Sequence, residues 1–122
     1  MEHSLWPWAV RLAAIVPLLA GGAGALTGFG FMGAATSSAV DSHGRYLSGL
    51  LLGIGLGCLW CAQAPRERAA VFGVLVAIVA LGGLARLLGV VLAGPPPLPH
   101  QLALVMELVV TPALWLWLQR LR

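Results

Sequence analysis

Two charged residues interrupt long apolar stretches of this 122-residue chain. Arg86 lies within the apolar run from residue 69 to residue 94, and Glu107 lies within the run from residue 101 to residue 118. A charge near the middle of a membrane helix costs about 2.5–3.5 kcal/mol on insertion scales, so such residues usually face other helices and pair. Counted at about 1.5 Å per residue, both groups lie roughly 9–12 Å below the same membrane boundary. We therefore predict an ion pair between Arg86 and Glu107 within the bilayer.

Five more residues near this boundary have polar side chains that could bind a ligand. Four of them belong to the segment that leads into the second apolar run, and the fifth precedes the fourth run. They are Asp41, His43, Arg45, Tyr46 and His100. His100 shares a helical face with Glu107, because the two are seven residues apart. Two interpretations stay open: the charges fix the helix register, with Asp41 capping the second helix, or all seven residues line a pocket for a mostly apolar ligand.

The composition places these charges in a membrane protein. Hydrophobic residues make up 60% of the chain and charged residues 9%, whereas soluble proteins contain about 45–50% and about 25%. The apolar residues form four blocks, each long enough to cross a hydrocarbon core of about 30 Å. The blocks cover roughly residues 8–31, 45–64, 69–94 and 101–118. We predict an all-α, polytopic membrane protein with a single domain over residues 1–122, an antiparallel bundle of four transmembrane helices.

Glycines are expected to hold the helices together. Lipid tails are as apolar as leucine, so helices associate in a membrane through close backbone packing at small residues. Gly49, Gly53 and Gly57 recur at intervals of four on the second helix. We predict that these three glycines form a packing stripe, either within the bundle or between two copies of the chain.

Arginine is distributed unevenly between the two sides of the predicted bundle. The side with both termini carries five arginines: Arg11, Arg66, Arg68, Arg120 and Arg122. The opposite side carries Arg45 and, deeper in the membrane, Arg86. Positive charges in short loops stay cytoplasmic, so we predict cytoplasmic termini and an outer loop over residues 32–44. We also expect an interfacial aromatic belt at the cytoplasmic boundary, formed by Trp6, Trp8, Trp115 and Trp117.

Several other functions lack support in the sequence. The arginines form no stripe that could follow a phosphate backbone, so we expect no nucleic-acid partner. Cys58 and Cys61 have the spacing of a redox pair, but they lie near the cytoplasmic end without a second pair, which favours buried, reduced thiols. His43 and His100 lack a closely spaced His or Cys partner, so we predict no metal site and no cofactor. The N-terminus lacks a basic n-region, so we expect no cleaved signal peptide.

Two stretches of the sequence resemble a known family. They are Arg45-Tyr46-Leu47-Ser48-Gly49 and Gly82-Gly83-Leu84-Ala85-Arg86, followed by a proline-containing turn and by Glu107 ahead of Pro112. The chain, from about Ala13 to Arg120, resembles a bacterial family of small four-helix membrane proteins catalogued as a domain of unknown function. The resemblance implies an inner-membrane location and a signature at Asp41–Arg45, Arg86 and Glu107, but it implies no activity. More remotely, the four-span size is similar to DoxX-like proteins, some linked to quinone chemistry, and to the sterol-isomerase and sigma-2-receptor group.

Three functions are compatible with these features. The first is a non-catalytic protein that binds a lipid-like or quinone-like ligand, or a membrane partner, through the seven polar residues. The second is a membrane enzyme, such as an isomerase that uses Glu107 or Asp41 as a proton donor. The third is a structural subunit of a larger membrane complex. The partners expected are the lipid bilayer, such a ligand, and a second copy of the chain or another membrane protein.

The charge distribution makes the orientation testable. A reporter enzyme that is active only in the periplasm, fused after Arg122, is expected to be inactive, because five arginines hold that side in the cytoplasm. The same reporter inserted between residues 32 and 44 should be active. Periplasmic activity of the fusion at Arg122 would reverse the predicted orientation.

Overall fold

Four long helical segments make up the described part of the chain. The computed structural model describes residues 2–28 and 38–121. Its helices are α1 (Glu2–Thr27), α2 (Ser38–Gln63), α3 (Ala69–Ala93), α4 (Leu98–Val105) and α5 (Thr111–Leu121), and a π-turn (Met106–Val110) joins α4 to α5. Four segments are long and apolar enough to cross a membrane, namely α1, α2, α3 and the unit formed by α4, the π-turn and α5. The predicted all-α, four-span fold is confirmed.

The two ends of the bundle differ, and we call them the hairpin end and the loop end. The hairpin end contains the start of α1, the turn at residues 64–68 and the end of α5. The loop end contains the end of α1, the start of α2 and the proline-rich connection between α3 and α4. Pro95–Pro97 end α3, because proline cannot continue a helix, whereas Pro99 lies in the first turn of α4, where no backbone donor is needed.

The boundaries at the loop end differ from the predicted ones. Residues 38–44 form the first turns of α2, so the predicted loop over residues 32–44 was wrong for this part, and residues 32–37 lie outside the described residues. Helix α1 ends at Thr27 rather than near Phe31, which also lies outside them. Gly28 stops α1 by adopting φ +77°, and its N–H donates to the Gly24 carbonyl at 2.8 Å. This left-handed cap favours glycine because glycine has no Cβ to clash.

Helices α1 and α2 form the most extensive helix pair. A Cβ atom at Gly21 would lie 2.5 Å from the Leu52 nitrogen and 2.7 Å from the Ser48 carbonyl oxygen, so only glycine lets the two backbones approach this closely. Farther along the pair, a Cβ at Gly55 would lie 3.0 Å from the Leu18 side chain. Close backbone approach is the source of stability expected for helices in lipid.

The predicted glycine stripe on α2 does not pack as a unit. Among the described residues, no atom of a neighbouring helix lies within 4 Å of a Cβ built at Gly49 or Gly53, whereas one at Gly57 would lie 3.0 Å from Leu75. The prediction was therefore wrong within the described bundle for the first two glycines. The reason is that contact with Gly21 turns Ser48 and Leu52 towards α1, which leaves Gly49 and Gly53 on a different face of α2.

A compact core lies at the hairpin end. Trp6 is fully buried there; its indole Nε1–H donates to the Leu114 carbonyl at 2.8 Å, and its ring meets Phe72 edge-on with centroids 4.9 Å apart. The prediction that Trp6 belongs to an interfacial belt was wrong, because its polar atom finds a partner inside the protein. Cys61 is fully buried in the same core and Cys58 is partly buried, both as free thiols.

The core joins two helix pairs mainly at this end. One pair is α1 with α2, and the other is α3 with the α4–α5 unit. Helix α1 reaches the second pair through Trp6 at Phe72 and Leu114, and α2 reaches it through Gly57 at Leu75. All these contacts lie in the half of the bundle nearest the hairpin end. The charged residues of α3 and the π-turn lie in the other half.

Close packing at Gly21 predicts a position-specific loss of stability. Gly21→Ala should lower the free energy of unfolding by about 1–3 kcal/mol, because its methyl group would collide with the α2 backbone. Gly22→Ala is the matched control: nothing lies within 4 Å of a Cβ there, so stability should be unchanged or slightly higher. Detergent unfolding followed by circular dichroism measures both, and equal effects would contradict the packing described.

Candidate functional site

Arg86 is the centre of a polar cluster in the loop-end half of the bundle. Its Nε donates to Glu107 Oε1 at 2.9 Å, and its Nη1 lies 2.8 Å from His100 Nδ1. The three residues come from α3, from the π-turn and from the first turn of α4. The Arg86 side chain is 31% exposed and the Glu107 side chain 17% exposed. The structure thus brings together three residues that the sequence marked as site candidates.

The contact with Arg86 determines the protonation pattern of His100. A guanidinium has only donors, so His100 Nδ1 must accept, and the neutral ring then carries its proton on Nε2. Neutral His100 leaves the cluster with one positive charge on Arg86 and one negative charge on Glu107. The cluster is therefore electrically neutral, with a free N–H donor at His100 Nε2.

Several polar atoms of the cluster have no hydrogen-bond partner among the described residues. They are Arg86 Nη2, His100 Nε2 and Glu107 Oε2. None of them is sealed inside the protein, since every fully buried side-chain nitrogen and oxygen atom of the described residues has a partner. These atoms are therefore accessible from outside the helices, and they offer two kinds of donor and one acceptor.

Gly83 makes the cluster possible by letting α3 approach the π-turn. A Cβ atom at Gly83 would lie 2.9 Å from Glu107 Cβ and 2.9 Å from Leu108 Cδ2. Any larger residue would push the π-turn away from α3 and lengthen the contact between Arg86 and Glu107. Gly82 is less restricted, because a Cβ there would lie 3.9 Å from Glu107 Oε2, an ordinary van der Waals contact.

The π-turn places Glu107 and has a clear local cause. The Thr111 N–H donates to the Met106 carbonyl, five residues back, instead of to the Glu107 carbonyl as in an α-helix. The Thr111 hydroxyl donates to that freed Glu107 carbonyl at 3.0 Å. Pro112 has no N–H to donate, and proline is a known cause of such breaks in the helix ladder. Sequence reasoning missed the π-turn, although the Thr111-Pro112 pair was a usable signal.

Asp41 and Arg45 form a second group, which caps α1. Arg45 Nε donates to Asp41 Oδ2 at 2.9 Å, while Arg45 Nη1 donates to the carbonyls of Leu26 at 2.8 Å and Ala25 at 3.2 Å. These are among the last carbonyls of α1, which lack partners within the helix, and a cation suits the negative end of the helix dipole. A Cβ atom at position 28 would collide with Asp41 Oδ1, so the Asp41 carboxylate occupies the space beside the glycine that ends α1. This group joins the end of α1 to the start of α2.

The two remaining candidates are exposed. His43 is exposed in the second turn of α2, and Tyr46 is 63% exposed on the same helix. Among the described residues, no hydrogen bond or ion pair connects the cluster around Arg86 with the group around Arg45. The described residues also contain no group of three side chains able to hold a metal ion.

Two shallow, open depressions on the described surface lie away from the Arg86 cluster. One, of about 510 Å³, lies at the hairpin end between residues 63–67 and the α5 residues Leu118 and Leu121. The other, of about 230 Å³, follows α5 from Ala113 to Arg120. Arg86, His100 and Glu107 line neither of them.

Comparison with known families identifies the chain at the level of a domain. The family model described as "Domain of unknown function (DUF4345)" matches residues 6–118. The chain belongs to this family. No curated protein and no solved structure matches it. The predicted membership in a family of unknown function is confirmed, whereas the remoter likeness to DoxX-like proteins stays a prediction.

The ion pair of this DUF4345 protein predicts a characteristic mutational pattern. Arg86→Met leaves the Glu107 charge without its partner, and Glu107→Leu does the same to Arg86, so each variant should lose about 2–3 kcal/mol of stability. The double variant removes both charges and should recover most of that loss. Detergent unfolding of the three variants measures the coupling. Additive losses in the double variant would show that the two charges do not interact.

Proposed function

We propose that this multi-pass membrane protein binds a neutral lipophilic molecule through Arg86, His100 and Glu107. The molecule has a mostly apolar body and a head with carbonyl or hydroxyl oxygens, as in quinone-like and some lipid-like compounds. The observation that carries the proposal is the set of unpartnered polar atoms on these three residues, located inside membrane-spanning helices. Such atoms have no water to bind within a bilayer, so a bound polar head would stabilise them.

The depth of the cluster fits a lipophilic ligand. Arg86 lies seven residues before the end of α3 at Ala93, and Glu107 lies nine residues after the start of α4 at Leu98. At about 1.5 Å per residue, the backbones of both lie roughly 10–14 Å inside the loop end of their helices, while His100 lies in the first turn of α4, at the entrance to the cluster. A water-soluble metabolite would have to leave water to reach this depth. An amphiphile that is already dissolved in the bilayer reaches this depth without leaving water.

The charge balance of the cluster favours a neutral head over an anionic one. The positive charge of Arg86 is already matched by Glu107 at 2.9 Å. An anionic ligand would bring an unmatched negative charge into a medium of low dielectric constant, which is costly. A carbonyl oxygen can instead accept from Arg86 Nη2 or His100 Nε2, and a hydroxyl can donate to Glu107 Oε2.

The proposed site is smaller than the seven residues that the sequence suggested. Arg45 and Asp41 are engaged in capping α1, so the proposal assigns them to the structure of the loop end and not to the ligand. We further propose a bacterial inner-membrane location with the hairpin end in the cytoplasm, because most arginines lie there. The ligand site would then open towards the outer leaflet.

Binding of a defined probe tests the proposal. Native mass spectrometry of the purified protein with a p-benzoquinone that has a short alkyl chain and no unsubstituted ring position, and so cannot add to the free thiols of Cys58 and Cys61, should detect a non-covalent complex that a hydrocarbon of equal length does not form. His100→Phe removes the Nε2 donor and should weaken binding about tenfold, in line with about 1–1.5 kcal/mol for one hydrogen bond. His43→Phe is the matched control, since His43 is exposed at the same end and lies outside the cluster.

The outcomes separate ligand binding from a purely structural ion pair. A quinone adduct that is weakened by His100→Phe and by Glu107→Gln, but not by His43→Phe, supports the proposal. Equal adducts with the quinone and the hydrocarbon, or equal losses in both histidine variants, would leave the cluster with a structural role only.

A further inference from the structure

The balance of arginines and acidic residues differs between the two ends of the bundle. Two arginines lie in the loop-end half, and each meets a carboxylate at 2.9 Å: Arg45 meets Asp41, and Arg86 meets Glu107. The other five arginines lie, by sequence position, at the hairpin end together with only two acidic residues, Glu2 and Glu67. The entire formal charge of +3 therefore resides at the hairpin end.

Two of the hairpin-end arginines are held by neutral groups. The Arg68 guanidinium lies 3.8 Å from the centre of the Trp60 ring, and its Nη1 donates to the Trp60 carbonyl at 2.6 Å. The Arg11 guanidinium lies 4.8 Å from the centre of the Trp8 ring. Aromatic faces and carbonyls orient a guanidinium without cancelling its charge. These contacts leave the charges of Arg11 and Arg68 unmatched, whereas a carboxylate matches the charge of Arg45 and of Arg86.

A groove lies among these charges where the chain leaves the apolar part of the helices. It has a volume of about 510 Å³ and is lined by residues 63–67 of the turn and by Leu118 and Leu121 of α5. Arg66 and Glu67 both line this groove, whereas the exposed Arg120 lines the second depression, which lies on a different face of α5. Glu67 offsets Arg66 within the groove, so the excess positive charge of this end comes from its other arginines. Apolar surface along α5 together with these arginines suits an amphiphilic anion.

We infer that the hairpin end binds anionic phospholipids in preference to zwitterionic ones, with the lipid phosphate at the arginines of this end. Guanidinium groups bind phosphate oxygens through paired, charge-assisted hydrogen bonds. A basic residue near an anionic membrane surface contributes about a fivefold gain in binding. This inference concerns the end of the bundle opposite to the Arg86 cluster and does not depend on the proposed ligand there.

A competition between two lipids tests the inference. The purified full-length protein in a neutral detergent is offered equal amounts of phosphatidylglycerol and phosphatidylcholine, and bound lipids are counted by native mass spectrometry. Phosphatidylglycerol adducts should exceed phosphatidylcholine adducts at least fivefold, and the excess should shrink as salt is added. Arg68→Gln and Arg120→Gln should each reduce the excess about fivefold.

The control variant distinguishes a local site from overall charge. Arg45→Gln removes the same single charge from the opposite end and should leave the preference for phosphatidylglycerol unchanged. If Arg68→Gln fails to fold, Arg120→Gln decides, because Arg120 is exposed. Equal binding of both lipids, or an equal loss in Arg45→Gln, would overturn the inference. Equal binding of the two lipids would also be expected if the arginines of the hairpin end bound an acidic protein segment instead of a lipid.

Discussion

The loop-end half of this protein depends on one constraint: the Arg86 guanidinium must find hydrogen-bond acceptors where the bilayer supplies none. Glu107 and His100 meet this need at 2.9 and 2.8 Å. Their positions follow from two backbone features, the missing side chain at Gly83 and the π-turn ahead of Pro112. The π-turn itself has its local cause in Thr111 and Pro112, so a backbone irregularity of the fourth span brings the Glu107 carboxylate to Arg86.

Different interactions hold the two ends of the bundle together. The hairpin end has a well-packed core around Trp6 and Phe72, which joins both helix pairs. The loop end holds its pairs together by polar contacts: Arg45 binds the end of α1 to the start of α2, and Arg86 binds α3 to the π-turn. The apolar core joins the two helix pairs at one end, whereas close packing at Gly21 and Gly83, together with these polar contacts, holds each pair together at the other.

Much of the fold could be predicted because membrane helices follow from composition and length. The bounds of α3 are nearly those predicted, since a glycine and three prolines end an apolar run. The packing faces could not be predicted. Every face of a membrane helix is apolar, so periodicity does not mark the side that meets another helix, and Gly49 and Gly53 were chosen over the true partner of α1 at Ser48. Trp6 was misplaced for a similar reason, because its indole finds the Leu114 carbonyl only after α1 and α5 pack.

In the candidate site, too, some features follow from the sequence and others only from helix packing. The sequence by itself determined that Arg86 and Glu107 lie at similar depth in helices joined by a short connection, because the insertion cost of a charge leaves few other arrangements. The tertiary structure alone decided that His100 joins them, that the π-turn aims Glu107 at α3, and that Arg45 caps α1 instead of joining the cluster. These outcomes depend on the rotation of each helix about its axis. That rotation is set by backbone contacts at residues such as Gly21 and Gly83, and one helix read alone does not contain them.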